Sequence, residues 1–362
     1  MKIAVLGCGT VGGGVVKILR DGVCGLELVR ILDLPQRFDK TCLELYTDDF
    51  ESIVGDAAID LVVETMGGHD FSYSCIKRAL SAGKHVVTAN KEVIALHLKE
   101  LTELAEKNGV YLMYEASAGG GIPCLKPISN VAKVSKTMAI SGILNGTTNY
   151  VLTRMQDGGL DYYEALAEAQ EKGFAEKDPT SDVEGLDMLR KIAIISMLCF
   201  KQEIKIEDVY HFGITGVTRK FIEYVNSLGY TLKYTCFAYN KAEKIEIGVE
   251  PVLVKTGGVI AGVKYETNIV KIVTTPNDEI LFVGKGAGRM PTAAAIVCDA
   301  VTVRDGGERM VFEDKYSKKV GLSDELISAV VDDGETIKVL TDVNASLVRG
   351  GKYKFYARIT ED

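Results

Sequence analysis

The sequence lacks a long apolar run, an excess of basic residues, internal repeats and low-complexity segments. Without about 18 consecutive apolar residues, no membrane-spanning helix is expected. The 42 basic residues are outnumbered by 50 acidic ones, which gives a net charge of −8. A nucleic-acid-binding protein would instead need a clustered basic surface. We therefore expect a globular protein whose partners include neither a membrane nor a nucleic acid.

Paired cysteines are also missing, because none of the eight cysteines forms a CxxC motif. We therefore expect neither a cysteine-based metal site nor disulfides. The thiols are interpreted as reduced, mostly buried side chains of a cytoplasmic protein. They belong to Cys8, Cys24, Cys42, Cys75, Cys124, Cys199, Cys236 and Cys298.

The first third of the chain alternates short apolar runs with helical stretches. Such a rhythm predicts a parallel sheet covered by helices on both faces. We expect an α/β fold in which residues 1–128 form a Rossmann-type dinucleotide-binding domain. The predicted strands are Lys2–Leu6, Leu28–Leu32, Ile59–Val63, His85–Thr88 and Val110–Tyr114.

Beyond residue 128 the rhythm changes. Predicted helices at Tyr163–Lys172 and Leu186–Phe200 precede strand-rich sequence, which indicates a second, α+β domain over residues 129–286 for catalysis and dimerisation. A glycine turn and helix at about 287–303 could return to the first domain. Residues 304–362 form a β-leaning extension of unassigned role, with one short helix predicted around Ser323–Val331.

The first predicted strand runs directly into a glycine-rich turn. In this strand-to-helix context, the first glycine permits the tight turn, the second lets a pyrophosphate approach, and the third lets the helix pack closely. The helix N-terminus offers N–H groups to the phosphates. The pattern predicts dinucleotide binding, with a packing turn that binds no ligand as the alternative. The turn consists of Gly7, Cys8, Gly9, Thr10, Val11 and Gly12.

Asp33 ends the second predicted strand, about twenty residues after the glycine turn. A carboxylate at this place would accept hydrogen bonds from the ribose hydroxyls and would repel the 2′-phosphate of NADP. Arg37, four residues later, could pair with that phosphate. We therefore expect NAD or NADP as cofactor, with NAD favoured by Asp33.

Two lysines are candidates for the proton transfer that accompanies hydride transfer. Lys91 directly follows a predicted parallel strand, at the edge where ligands bind in such sheets. Lys191 lies four residues after Asp187, so the two share one helix face. That spacing alone is more typical of a surface salt bridge. However, an acid-rich loop containing Glu176 and Asp182 precedes it, and carboxylates near a lysine suit a substrate that carries an ammonium group.

Six segments in order along residues 1–300 resemble homoserine dehydrogenase of the type without an aspartate kinase domain. They are GCGTVGGGVV, TANK, EASAGGGIP, GILNGTTNY, GFAEKDPTSDVEGLDMLRK and GAGRMPTAAA. The resemblance implies reversible hydride transfer between NAD(P)H and L-aspartate 4-semialdehyde, which gives L-homoserine for threonine and methionine biosynthesis. It also implies a homodimer formed through the sheet of the second domain.

The resemblance further implies roles for individual residues. Lys191 matches the proton donor to the substrate carbonyl oxygen, and Lys91 matches a second lysine at the cofactor and substrate. The implied substrate-binding residues are Glu176, Asp182, Asp187, Asn145 and Thr147. The implied cofactor-binding residues outside the glycine turn are Asp33, Thr65, Lys91, Gly173 and Gly288.

The family also carries a monovalent cation, usually sodium, which backbone oxygens hold near EASAGGGIP. Carbonyl oxygens suit such a hard cation. The alternative is that the glycines form a tight hinge between the domains. By position, the ligands would be Glu115, Ala118, Gly120 and Ile122.

Two other hypotheses stay open. One is a related dehydrogenase acting on a different small amino or oxo acid, which a substrate panel would distinguish. The other is a catalytically silent NAD-binding sensor. The presence of both Lys191 and Glu176 argues against the sensor.

Overall fold

The computed structural model describes residues 1–23 and 25–360. Cys24, one of the predicted reduced thiols, lies outside the described residues. The strands are β1 (Lys2–Leu6), β2 (Glu27–Leu32), β3 (Tyr46–Thr47), β4 (Leu61–Glu64), β5 (His85–Thr88), β6 (Leu112–Met113), β7 (Lys136–Ile143), β8 (Tyr210–His211), β9 (Tyr230–Asn240), β10 (Lys244–Lys255), β11 (Thr267–Thr275), β12 (Asp278–Lys285), β13 (Lys319–Val320), β14 (Leu326–Asp332), β15 (Ile337–Asn344) and β16 (Phe355–Ile359).

The helices have the following bounds: α1 (Thr10–Arg20), α2 (Glu51–Val54), α3 (Asp70–Ser81), α4 (Lys91–Lys107), α5 (Leu125–Val134), α6 (Gly146–Gly158), α7 (Tyr162–Glu171), α8 (Thr180–Val183), α9 (Leu186–Phe200), α10 (Arg219–Ser227), α11 (Val259–Gly262), α12 (Arg289–Arg304) and α13 (Ala345–Arg349). Short 3-10 turns lie at Pro35–Arg37, Lys40–Leu45, Glu115–Ser117 and Ile206–Asp208. No described helix combines the length and the apolar character needed to cross a membrane.

The chain divides into two compact units. The first comprises Met1–Val134, Met197–Glu203 and Ala287–Tyr316. Its sheet has six parallel strands in the order β3-β2-β1-β4-β5-β6. The strand Lys2–Leu6 is buried from Ile3 onward, as expected for a parallel strand covered on both faces. The parallel sheet confirms the predicted Rossmann-type fold.

Helix α12 packs closely against α1 within the first unit. A Cβ on Gly14 of α1 would come within 2.9 Å of both the Ala293 Cβ and the Arg289 carbonyl oxygen. The glycine therefore allows the two helices to approach each other, although α12 lies far from α1 in sequence.

The second unit comprises Ser135–Ser196, Ile204–Gly286 and the described residues from Ser317 onward. Its ten-stranded mixed sheet runs β12-β11-β7-β9-β10-β16-β14-β15, and β8 and β13 also pair with β10. Helices and a mixed sheet in this unit confirm the predicted α+β class.

The predicted short helix around Ser323–Val331 is wrong, because this segment contains β14. Its residues Ile327, Val330 and Val331 are β-branched and buried. Antiparallel pairing with β15 on one side and β16 on the other satisfies the backbone. Sheet pairing therefore decides the conformation of a segment whose local pattern is ambiguous.

Candidate active site

The glycine turn joins β1 to α1 in the first unit. Gly7 adopts φ +87°, and its N–H donates to the Leu32 carbonyl oxygen at 2.8 Å. A Cβ on Gly12 would lie 1.8 Å from the Gly7 carbonyl oxygen, whereas a Cβ on Gly9 would meet nothing within 4 Å. The turn itself thus requires Gly7 and Gly12, and Gly9 leaves its outer face open.

Helix α1 starts at Thr10, so Thr10 and Val11 lie in its first turn. The first four N–H groups of a helix lack intrahelical acceptors and carry the positive end of the helix dipole. These two residues therefore supply backbone donors beside the open face of the turn.

A cavity of about 530 Å³ opens beside this turn. Phosphates bind readily where basic side chains meet a helix N-terminus, so the residues present fit a dinucleotide. The cavity is lined by turn residues Cys8, Gly9 and Thr10, by the basic side chains Lys17, Arg20, Arg37 and Arg289, and by Asp21 and Asp39.

Sequence reasoning missed three of these basic residues. Lys17 and Arg20 are three residues apart on α1, so following one helix face from the glycine turn could have found them. Arg289 comes from a distant segment, and only the packing of α12 against α1 brings it to the cavity.

Asp33 lies at the end of β2, and its side chain is only 4% exposed. Its carboxylate accepts the N–H groups of Cys8 and Leu34, both at 2.7 Å. Arg37 Nη1 lies 3.8 Å from Asp33 Oδ1 and is largely exposed. Asp33 therefore orients the glycine turn in addition to the role predicted for it at the ribose.

Thr65 and Glu64 connect the end of β4 to the site. The Thr65 hydroxyl donates to the Gly7 carbonyl oxygen at 2.8 Å. The fully buried Glu64 carboxylate accepts the Thr88 hydroxyl at 2.6 Å and the Met66 N–H at 2.8 Å. Sequence reasoning missed Glu64, although a carboxylate at the end of an otherwise apolar strand was the available signal.

Lys91 is the first residue of α4 and follows β5 closely. Asn90 caps this helix by accepting the Val93 N–H at 3.1 Å, and its side-chain amide donates to the Gly68 carbonyl oxygen at 2.7 Å. The backbone that carries Lys91 is therefore fixed at the carboxyl edge of the parallel sheet, where ligands bind in this class of fold.

The predicted cation loop lies between β6 and α5. The buried Glu115 carboxylate accepts the N–H groups of Leu125 at 2.6 Å and Lys126 at 2.8 Å, so its side chain caps α5. Burial, with the nearby Asp299 charge, raises the pKa of Glu115 although the two N–H donors act to lower it. Gly120 has φ +59°. Because the Glu115 carboxylate is already bonded to the start of α5, the backbone carbonyl oxygens of this loop are the atoms that fit a monovalent cation.

In the second unit, Lys191 lies on α9 and is 8% exposed. Its Nζ donates to Asp187 Oδ2 at 2.7 Å and to the Leu144 carbonyl oxygen at 2.8 Å. Asp187 is also buried. The pair is therefore a buried, oriented ion pair and not the surface salt bridge that its spacing alone favoured.

Asn145 joins two acids of the predicted site. Its side-chain amide donates to Asp182 Oδ1 at 2.7 Å and to Asp187 Oδ2 at 2.9 Å. Its Oδ1 accepts the Thr148 N–H at 2.9 Å and so caps α6. A strand end and a helix start therefore bring buried Asn145, Asp187 and Lys191 into one cluster with half-buried Asp182.

The acid-rich loop is attached to the same turn at a second point. The Thr147 hydroxyl donates to the Phe174 carbonyl oxygen at 2.6 Å. Gly173 adopts φ +75° where α7 gives way to this loop. Glu176 is exposed in the loop, and within residues 1–23 and 25–360 its carboxylate makes no hydrogen bond to the Asn145 cluster. Gly288, with φ +120°, precedes α12 in the first unit.

The arrangement gives each unit a distinct capability. The first offers backbone donors and basic side chains for a dinucleotide. The second offers a buried ammonium group held by a carboxylate and a carbonyl oxygen, next to further carboxylates. A lysine oriented in this way can give a proton to an oxygen atom on which negative charge develops.

Two family models match the chain. The model of the homoserine dehydrogenase NAD-binding domain matches residues 7–115, and the homoserine dehydrogenase model matches residues 123–301. Homoserine dehydrogenase of Synechocystis sp. is 41% identical over 84% of this chain and 73% of its own length. The Bacillus subtilis enzyme is 39% identical over 84% and 72%.

A solved structure is similar as well. The crystal structure of a homoserine dehydrogenase from Thiobacillus denitrificans has a TM-score of 0.87 and 27% identity. The match covers 100% of this chain and 98% of that chain. The recognised motifs, the two-unit fold and these similarities agree, and the chain belongs to the homoserine dehydrogenase family of NAD-binding oxidoreductases.

Proposed function

We propose that the protein interconverts L-aspartate 4-semialdehyde and L-homoserine, in the synthesis of threonine and methionine. The observation that carries the proposal is the buried cluster of Lys191, Asp187 and Asn145, because it holds an ammonium group ready to serve a reacting oxygen. When bound, NAD(P)H supplies the hydride to the aldehyde carbon.

Lys191 supplies the proton in this proposal. Its Nζ donates to Asp187 and to the Leu144 carbonyl oxygen. These two hydrogen bonds fix the direction of the third N–H group. The protonated amine stabilises negative charge on the carbonyl oxygen and transfers the proton there, and in reverse the neutral amine removes it from the alcohol. Lys91, at the carboxyl end of β5, is proposed as the second lysine at cofactor and substrate.

The substrate is a small amino acid, and we propose that carboxylates bind its ammonium group. Asp182 and Asp187 are joined through Asn145, and Glu176 extends the same acidic region from its loop. Asn145 and Thr147, at the start of α6, would lie near the substrate carboxylate. Fixing both ends of the substrate lowers the entropic cost of bringing its carbonyl to the reactive lysine.

We propose that the glycine turn holds the cofactor pyrophosphate, with Thr65, Gly173 and Gly288 as further contacts. Asp33 is proposed to accept the ribose hydroxyls and to favour NAD. Arg37, beside it, offers a positive charge for a 2′-phosphate, so NADP would also be accepted. The carbonyl oxygens of Glu115, Ala118, Gly120 and Ile122 are the proposed cation ligands.

Three broader proposals concern the whole chain. Residues 1–128 with the helix at 287–303 are proposed as the dinucleotide-binding domain, and residues 129–286 as the substrate domain. The protein would act as a homodimer through the sheet of the second unit. Among the described residues no two cysteines form a disulfide, which supports the proposed cytoplasmic location.

The test is an assay of aspartate 4-semialdehyde reduction with NADH and with NADPH, alongside a panel of other small oxo acids. Replacing Lys191 by alanine should lower kcat by about 100-fold or more, because general acid catalysis contributes that much. Lys191→Arg should be similarly slow, since a guanidinium keeps the charge but does not release its proton.

The affinity for the cofactor, measured by nucleotide fluorescence, should be unchanged in both variants. Lys220→Ala, on the exposed face of α10, is the matched control and should retain full activity. A Lys191→Ala variant that turns over at the wild-type rate would remove this lysine from the mechanism.

A further inference from the structure

Two of the four histidines in the chain meet in the first unit, and neither is among the residues assigned above. His69 immediately precedes α3 and His97 lies in α4, and their Nε2 atoms are 2.8 Å apart. The side chains are 29% and 25% exposed, so ions in solution can reach them. The pair is therefore accessible and close enough to share one bound species.

Each histidine ring has a carboxylate near its Nδ1 atom. His69 Nδ1 lies 2.8 Å from Asp70 Oδ1, and His97 Nδ1 lies 3.6 Å from Glu100 Oε2. Metal-binding histidines commonly direct their second nitrogen to a carboxylate, which fixes the tautomer and orients the ring. His69 has that partner at hydrogen-bond distance, and the Glu100 carboxylate lies just beyond this distance from His97.

The proton arrangement of the pair is compatible with metal binding. When His69 donates its Nδ1 proton to Asp70, its Nε2 carries a lone pair that accepts the Nε2 proton of His97. Moving that single proton to His97 Nδ1, towards Glu100, leaves a lone pair on each of the two Nε2 atoms. The change needs no net loss of a proton from the pair.

Neighbouring side chains fix the Glu100 carboxylate and the His97 ring. Glu100 accepts the Tyr73 hydroxyl at 2.7 Å and lies 2.6 Å from Lys77 Nζ. The Tyr73 ring stacks on His97 with 4.0 Å between centroids. Within α4, the backbone of His97 departs from helical geometry at φ −130° and ψ 16°. The position of His97 is thus determined by its surroundings before any ion binds.

We propose that His69 and His97 bind a divalent transition-metal ion, of the zinc, nickel or cobalt kind, through their Nε2 atoms. Imidazole is a preferred ligand of these ions. Among the described residues, no group of three His, Cys, Asp or Glu side chains is arranged to hold a metal, so water completes the coordination. At a metal–nitrogen distance of about 2.0–2.1 Å, tetrahedral geometry separates the two nitrogens by roughly 3.3 Å. The two Nε2 atoms must therefore part by about half an ångström, and the rings must turn so that both lone pairs point to the ion.

A metal at this place would link two elements that carry the proposed cofactor and substrate contacts. His69 follows the loop after Thr65, and α4 begins with Lys91. Binding to the folded state alone stabilises it, so the metal raises the melting temperature of the protein.

The experiment is a calorimetric titration of the metal-free full-length protein with Zn²⁺, repeated with Co²⁺ to record its absorption spectrum. We expect one ion per chain and a rise in Tm on binding. His69→Gln and His97→Gln should each weaken binding by at least about tenfold. Asp70→Asn should weaken it by about 10–100-fold, which is typical for loss of a carboxylate partner of a metal-binding histidine.

His211→Gln is the matched control, because His211 is an exposed histidine on β8 of the second unit, and this variant should bind as the wild type does. Circular dichroism of the metal-free variants checks that each is folded. The proposal is overturned if the wild type shows no saturable binding, or if both histidine variants bind with wild-type affinity. Thiolate-to-cobalt bands in the Co²⁺ spectrum would also overturn it, since they would place the ion on cysteine.

Discussion

Asp33 and Arg37 form one ion pair beside the proposed nucleotide cavity, and the choice of cofactor should depend on it. Arg37 is the exposed member and could turn to a 2′-phosphate. Arg37→Ala should lower kcat/KM with NADPH by about tenfold or more, since a charged hydrogen bond contributes roughly 1.5–3 kcal/mol. The value with NADH should hardly change. Steady-state kinetics with both cofactors measure this, and Arg30→Ala is the control. An equal loss with both cofactors would contradict the assignment.

A second residue, Lys233, should give the protein an unusual response to alkaline pH. It is 2% exposed, and burial, reinforced by the charge of Lys264, lowers its pKa to about 8. Its Nζ donates to the Val263 carbonyl oxygen at 2.6 Å. Since the folded pKa lies below the unfolded one, the unfolded chain binds more protons between these values, and stability contributed by this residue rises from about pH 8 to about pH 10.5.

Lys233→Met should abolish this contribution. When the pH is raised from below 8 to above 10.5, the free energy of unfolding of the wild type should increase relative to that of the variant. The relative increase should be on the order of 3 kcal/mol. Urea denaturation across this range measures it, with Lys220→Met as a control for an exposed lysine. A difference that does not vary with pH would show that Lys233 titrates normally.

For individual residues, sequence spacing predicted part of the candidate site. The separation of Asp187 and Lys191 placed both on one helix face, which the structure confirms. Spacing could not show that the pair is buried, because the Leu144 carbonyl oxygen comes from 47 residues away in sequence. The link from Asn145 to Asp182 and the role of Glu64 likewise depend on tertiary packing between segments distant in sequence.

At the scale of elements, β16 and α13 are attached to β10 by a buried charge network. Glu250 of β10 is fully buried and pairs with Arg349 Nη2 at 2.9 Å and Arg358 Nε at 2.7 Å. It also accepts the Tyr356 hydroxyl at 2.9 Å. Burial acts to raise the pKa of Glu250, but the two arginines outweigh it and hold the pKa below its usual range. The carboxylate thus stays ionised inside the sheet.

Breaking this network should destabilise the fold strongly. Arg349→Ala should lower the free energy of unfolding by about 3–5 kcal/mol, because it leaves a buried carboxylate without one of its cations. Arg219→Ala breaks the exposed ion pair with Glu223 and should cost less than about 1 kcal/mol. Chemical denaturation compares the two, and equal small losses would mean that Glu250 is not stabilised by Arg349.

For the whole molecule, the sequence predicted the parallel sheet of the first unit because its strands are short and continuously apolar. The same reasoning failed for β14. Its alternation is weak, and its conformation depends on two strands that come later in sequence. Composition and local pattern therefore sufficed for the fold class but not for the topology of the second sheet.

The proposed homodimer can be tested at the edge of the second sheet. β12 is an edge strand, and its Leu281 and Val283 are 40% and 56% exposed. Val283→Lys should shift the protein from dimer to monomer, since a charge buried in an interface is costly. Sedimentation velocity measures this. Val259→Lys, at an exposed valine of α11, should leave the dimer intact. A Val283→Lys variant that stays dimeric would exclude this edge from the interface.

The position of β16 also has a consequence for synthesis. This strand lies between β10 and β14, although its Tyr356 is 106 residues from Glu250 in sequence. While the ribosome is still making the intervening residues, the edge of β10 has no β16 to pair with, and the Glu250 carboxylate lacks both arginines. The second sheet can therefore close only after β16 has been synthesised, and until then the part of β10 at Val252 and Leu253 offers a strand edge to any other nascent chain nearby.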